Sequence, residues 1–193
     1  MMSTSVKITV EEFDEMIARG DFLPKEEHRV ELIRGEIVPI DPRGPMSPIN
    51  PAHDDTVDEL IEWSTERLPQ GAIRLRIQGS MTIPELDSQP QPDLLWMVRK
   101  NYSKTRPRSE DILLLIEVSD STLAKDRGEK SKLYAEAGIR DYWIVNIPDE
   151  CIEIRRDPLG QTYRSITIYH RGQEVSPLAF PEVSLAVARL FPE

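Results

Sequence analysis

The sequence predicts a mixed α/β fold, one central sheet flanked by helices on both faces, and three observations predict it. PDLLWMV (92–98), ILLLIEVS (112–119) and DYWIVNI (141–147) are nearly continuous apolar runs, as expected of strands covered on both sides. A helical stretch separates the last two, and a strand–helix–strand crossover implies a parallel pair. The earlier strands have room to pair antiparallel beside them, giving a mixed sheet.

The elements follow in order. Thr9 can cap a helix over VEEFDEMIARG, with Glu11 and Glu12 in its first turn, Phe13 and Ile17 on one face, and Gly20 past its end. VELI-RG-EIVPI reads as a hairpin turning on Arg34 and Gly35. DPRGPMSPINP (41–51) is a loop by its Pro and Gly content. Val57, Leu60, Ile61, Trp63 and Leu68 have helical spacing, so Ala52–Leu68 is predicted helical. AIRLRIQGSMTI alternates, with Ile73, Leu75 and Ile77 on one face of a half-exposed strand. RKNYSKTRPRSED (99–111) is a polar loop. A helix is expected around Asp126–Ala137, stopped by Gly138. CIEIRRDPLGQTYRSITIYH reads as a hairpin whose turn contains Asp157, Pro158 and Gly160. The last twenty residues suggest a short strand and a one-turn helix. With no repeat or linker, residues 1–193 are expected to form one domain with its core at about 52–147.

Composition narrows the class. Apolar residues make up 39% and charged residues 30%, as in globular proteins. No apolar run approaches the ~20 residues that span a bilayer, and MMSTSVKITVEEF lacks the apolar region of a signal peptide. Cys151 is the single cysteine, which excludes an intrachain disulfide and a cysteine zinc site. A cytoplasmic location and no membrane partner are therefore expected. The net charge of −10 argues against a generally basic nucleic-acid-binding surface. Residues 1–68 hold 16 acids against 7 bases and residues 69–193 hold 18 against 17, so the acidity belongs to the N-terminal third.

Two acids interrupt the buried strands: Asp93 at the start of one and Glu117 near the end of the other. On the second strand Leu113, Leu115, Glu117 and Ser119 share a face by the period of two. A carboxylate there is costly to desolvate unless it is paired or binds a cation. Two converging carboxylates repel, and a hard divalent ion resolves that repulsion; each could instead cap a strand end or meet a lysine. On the following helix, ~100° per residue aligns Lys130 with Leu133, Tyr134 and Ala137 toward the sheet. Lys132 points away with Ala135 and Glu136. Lys130 could pair with Asp126 at i,i+4, or simply lay its stem over apolar surface. Gly-rich phosphate loops, G-x-S-x-G and H-E-x-x-H are missing from the sequence.

IEVSDSTLAKDRGEKSKLYAEAGIRDYWIVN, preceded by QPDLLWMV, resembles the Uma-type putative restriction endonuclease family of the PD-(D/E)XK nuclease superfamily, over roughly residues 28–147. The resemblance implies a restriction-endonuclease-like core of order αβββαβ, with an N-terminal helix and hairpin and a C-terminal hairpin added. It maps Asp93 to the family's Pro-Asp and Glu117 to its (D/E) position. The superfamily's lysine would fall on Ser119, and in this branch Lys130 takes its place. Glu31 matches the Glu of the family's E-L-x-x-G-E hairpin, as an extra ligand or water-orienting group. His53 matches its His, as a phosphate or metal contact or else a plain helix N-terminal residue. His28 and His170 read as surface residues.

The function so implied is a Mg²⁺- or Mn²⁺-dependent endonuclease. Asp93, Glu117 and the Val118 carbonyl would hold the metal, and Lys130 would orient or help deprotonate the attacking water. Arg99, Lys100, Lys104, Arg106 and Arg108 could contact a nucleic-acid backbone, with DNA the expected substrate, or form a solvated loop. Superfamily members often cut two strands as dimers, which implies a homodimer. The competing expectation is a catalytically inactive nuclease-fold module that binds nucleic acid or a protein partner.

Overall fold

The computed structural model describes residues 7–22, 30–40, 50–68, 71 and 73–191. His28 and most of the expected loop at 41–51 lie outside them. Helix α1 (Val10–Arg19) begins at the expected capping box: the Glu12 amide donates to the Thr9 hydroxyl, and the Thr9 amide donates to the Glu12 carboxylate. Strands β1 (Val30–Ile33) and β2 (Glu36–Pro39) form a hairpin on Arg34 and Gly35, whose φ values of 52° and 80° are those of the tight turn that matches strand twist. A side chain at Gly35 would also strike Lys7, whose Cβ would be 2.8 Å away.

Helix α2 (Pro51–Arg67) precedes β3 (Ile73–Ile77), β4 (Leu94–Val98) and β5 (Ile112–Ser119). The crossover consists of α3 (Leu123–Lys125), a π-helical turn (Asp126–Lys130) and α4 (Ser131–Glu136), so the helix starts earlier than the sequence predicts and widens in its middle. Gly138, at φ 77°, ends it. Then come β6 (Asp141–Asn146), β7 (Cys151–Leu159), β8 (Thr162–His170), the short pair β9 (Glu174–Val175) and β10 (Leu185–Ala186), and a 3₁₀ turn at Val187–Leu190.

Six strands form the central sheet in the order β3-β4-β5-β6-β7-β8. Only β5 and β6 run parallel, as the crossover predicts; the other neighbours are antiparallel. On one face α2 and the C-terminal segment cover the sheet, with Trp63 stacked 4.9 Å from Trp96 and 6.0 Å from Trp143. The other face takes α4 and Ile33 of the first hairpin. Helix α1 packs on the outside of that hairpin through Val10, Phe13 and Leu32.

Several expectations need correction. A bulge pairs Trp96 with Leu114 but Met97 with Ile112, so Leu113 drops out of register and packs on the α2 side, away from Glu117. The C-terminal hairpin turns on Gly160 and Gln161, while Asp157 and Pro158 lie inside β7, with Asp157 at φ 60°. Ile77, expected on the covered face of β3, is 44% exposed at its end. Ala135, expected to face outward, is buried, because the short helix is embraced by both β7 and β8.

Candidate active site

Glu117 sits near the C-terminal end of β5, paired with Ile144 of β6, on the face covered by the crossover. Glu117 is 3% exposed and Lys130 is 4% exposed. Lys130 Nζ donates to Glu117 Oε1 at 2.9 Å, and the Tyr134 hydroxyl donates to the same oxygen at 2.7 Å. Helical phase therefore turns Lys130 toward the sheet, as expected, while Lys132 is exposed. Lys130 also lies 3.7 Å from Asp126 Oδ1 and 3.9 Å from Glu31 Oε2.

Ser119 stands two residues after Glu117 and donates to Asp126 Oδ2 at 2.7 Å. That bond ties the strand end to the π-helical turn, a feature often found at functional sites. Asp93 lies just before β4, next to the end of β5, and accepts the Val118 amide at 2.8 Å. Because N–H and C=O of one strand residue face the same neighbour, the Val118 carbonyl opens on the Asp93 side as well.

His53 occupies the first turn of α2. Its Nε2 is 3.5 Å from Asp93 and its Nδ1 3.6 Å from Asp54. Asn50 holds that helix end in place: it caps the Ala52 amide at 3.1 Å and donates to Asp120 at 3.0 Å, just beyond β5. Glu31, from the hairpin, is fully buried; Lys125 Nζ donates to it at 2.7 Å and the Gln91 amide at 3.1 Å.

The charges of this cluster do not balance. Glu31, Asp93, Glu117 and Asp126 face Lys125 and Lys130. Burial raises the Glu117 carboxyl most, Lys130 opposes it, and Asp126, Asp93 and Glu31 raise it further, to about 8. Burial works against the Lys130 ammonium, but Glu117, Glu31 and Asp126 more than offset it, holding its pKa well above the ordinary lysine value. His53 is pushed up as well: burial disfavours its charged form, and Asp93 and then Asp54 outweigh burial.

Among the described residues, no three His, Cys, Asp or Glu side chains converge as a ready-made cation cage. The donor set nonetheless suits Mg²⁺, which is usually held by one or two carboxylates, waters and substrate phosphate. Asp93 holds the Val118 amide at adjacent strand ends, and Glu117 is the residue before Val118. The surplus negative charge is what a divalent cation relieves, and Asp126 Oδ1 is a buried oxygen with no hydrogen-bond donor among the described residues.

A family model described as "Uma2: Putative restriction endonuclease" matches residues 10–188. The chain belongs to the Uma2 family. Comparison with curated proteins finds no match. Among solved structures, a crystal structure described as a putative nuclease belonging to DUF820 from Anabaena variabilis shares the fold, with a TM-score of 0.72 at 18% identity, covering 95% of this chain and 97% of that one.

Within this Uma2 chain, the five loop bases are not brought to the cluster. The 99–111 loop leaves β4 at the end opposite Asp93 and enters β5 at the end opposite Glu117. Lys100 pairs with Asp111, Arg106 with Asp14 at 2.6 Å, and Arg108 with Glu85 at 3.1 Å. Arg99 is exposed, and Tyr102 is buried rather than presented to solvent. Sequence reasoning missed Lys125 as the partner of Glu31, and Asn50 with Asp120 as the anchor of α2. Tyr134 was legible on the stripe of Lys130, four residues on, though not as a donor to Glu117. Among the described residues, no helix is long and apolar enough to cross a membrane.

Proposed function

We propose that this chain is a Mg²⁺- or Mn²⁺-dependent endonuclease that hydrolyses phosphodiester bonds in DNA, with Asp93, Glu117 and Lys130 at its centre. The observation that carries this reading is the buried Lys130–Glu117 contact, placed one backbone hydrogen bond away from Asp93. Asp93, Glu117 and the Val118 carbonyl would hold the metal. When bound, the ion supplies a water of lowered pKa and neutralises charge on the phosphate.

Lys130 keeps its proton at neutral pH, so its part is to orient the water and stabilise the developing negative charge as an ammonium, not to act as the base. Glu31, with both oxygens engaged by Lys125 and the Gln91 amide, positions the two lysines rather than ligating. His53, beside Asp93 at the start of α2, is suited to contact a phosphate.

Incubation with supercoiled plasmid and Mg²⁺ or Mn²⁺ tests the proposal. Wild type should nick the DNA, and Asp93→Asn should not. Equal nicking by the variant, or none by wild type in any metal and salt, would sink it. The second reading, a non-catalytic module, is favoured by one observation: Lys100, Arg106 and Arg108 are already spent on carboxylates. It requires binding without cleavage.

A further inference from the structure

We propose that a second site, in the cleft between α1, β3 and the 99–111 loop, holds a nucleotide phosphate. It extends the nuclease reading by giving the substrate strand an anchor, and rests on that reading only for the source of the phosphate. The cleft measures about 730 Å³, within the ~300–1,000 Å³ typical of ligand sites.

Its basic side chains are unequally satisfied. Asp14 neutralises Arg106. Arg76, by contrast, has neutral partners: it donates to the Ser80 carbonyl at 2.6 Å and lies 5.7 Å from the centroid of the Tyr102 ring. Beside it, Arg74 donates to the Lys100 carbonyl at 3.2 Å and stands 6.0 Å from the same ring. Lys104, on the cleft wall, makes no hydrogen bond or ion pair among the described residues.

Burial, then the charges of Arg74 and Arg106, lowers the pKa of Arg76, as expected of a guanidinium short of negative charge. The backbone is shaped around it: a Cβ at Gly79 would stand 2.7 Å from Cγ and Cδ of Arg76. Thr82 adds a buried hydroxyl that has no hydrogen-bond partner among the described residues and lines the same cleft. A guanidinium, an ammonium and an unsatisfied hydroxyl form a donor set suited to phosphate. Glu11 and Asp14 also line the cleft; they disfavour a dense polyanion and suit a single phosphate carried on a larger group.

Arg76 pairs with Leu95 and Leu95 with Leu115, so β4 alone separates the strand of Arg76 from the strand of Glu117.

Binding is measured on metal-free protein in EDTA, where no cleavage occurs. The probes are a labelled oligonucleotide by fluorescence anisotropy, and inorganic phosphate and a mononucleotide by calorimetry. Arg76→Gln and Lys104→Gln should each weaken oligonucleotide binding about tenfold and reduce its salt slope by about one. Lys104 is exposed, so its variant guards against misfolding of the Arg76 variant. Loss confined to the oligonucleotide assigns the phosphate to a strand; loss for the mononucleotide or phosphate too assigns free ligands as well. Both variants binding like wild type, or wild type binding no probe, would overturn the proposal. If wild type nicks plasmid while the variants bind unchanged, the cleft fails and the nuclease reading stands. If the variants lose binding while nothing nicks, the reverse holds.

Discussion

Lys130 Nζ and Glu117 Oε1 stand 2.9 Å apart with both side chains withdrawn from solvent. Such a buried contact is weak evidence for stability, because desolvating the groups that make it offsets their attraction. Breaking it is another matter, since the remaining carboxylates lose their cation. Lys130→Met should lower unfolding free energy by about 3 kcal/mol, measured by urea denaturation at neutral pH. The double variant with Glu117→Gln should recover part of that, with a coupling of about 1–3 kcal/mol. Strict additivity would mean that the two side chains do not interact in solution.

Glu117 also predicts how stability depends on pH in metal-free protein. Its pKa rises from the ordinary 4.5 to about 8 on folding. Between those values the native state holds a proton that the unfolded chain releases. The contribution is therefore fully present below 4.5 and is lost as pH rises through 8. His53, also raised, adds a loss in the same direction. Unfolding free energy measured from pH 5 to 9 should fall for wild type, at up to roughly 1.4 kcal/mol per unit from Glu117. Glu117→Gln should show a flatter curve; an unchanged slope would contradict the raised pKa.

The parts of this site that the sequence reveals are those set by local periodicity. An acid in an apolar strand marks Glu117, and helical phase brings Lys130 to it. What stayed hidden depends on register and connection. The bulge opposite Trp96 and Met97 moves Leu113 off the face of Glu117, and no residue type announces it. The 99–111 bases are adjacent in sequence to the strands next to Asp93 and Glu117, yet antiparallel pairing of β4 and β5 sends them to the far end of the sheet. Lys125 reaches Glu31 across 94 positions, a contact that only tertiary packing creates.

Metal binding should be visible without turnover. Mn²⁺ is expected to raise the melting temperature of wild type, and Asp93→Asn and Glu117→Gln should each abolish the rise. Because the metal must displace the Glu117 proton below about pH 8, the rise should be small at pH 6 and larger at pH 8.5. A shift equal in wild type and both variants would place the ion elsewhere.

Glu31 separates a ligand from a positioning residue. Its oxygens are occupied by Lys125 and the Gln91 amide, and Lys125 also donates to the Pro39 carbonyl at 3.2 Å, tying the hairpin to the crossover. Lys125→Met leaves Glu31 buried without its nearest cation, so stability should fall by about 2 kcal/mol. If Glu31 only positions, Glu31→Gln should keep the Mn²⁺-induced rise in melting temperature while lowering the nicking rate, since Lys130 loses a counter-ion 3.9 Å away. The amide oxygen accepts from only one of Lys125 and the Gln91 amide, and its NH₂ faces the other donor, so the nicking rate is compared at equal folded fraction to isolate the effect on Lys130. Loss of the Mn²⁺ response in Glu31→Gln would instead make Glu31 a ligand.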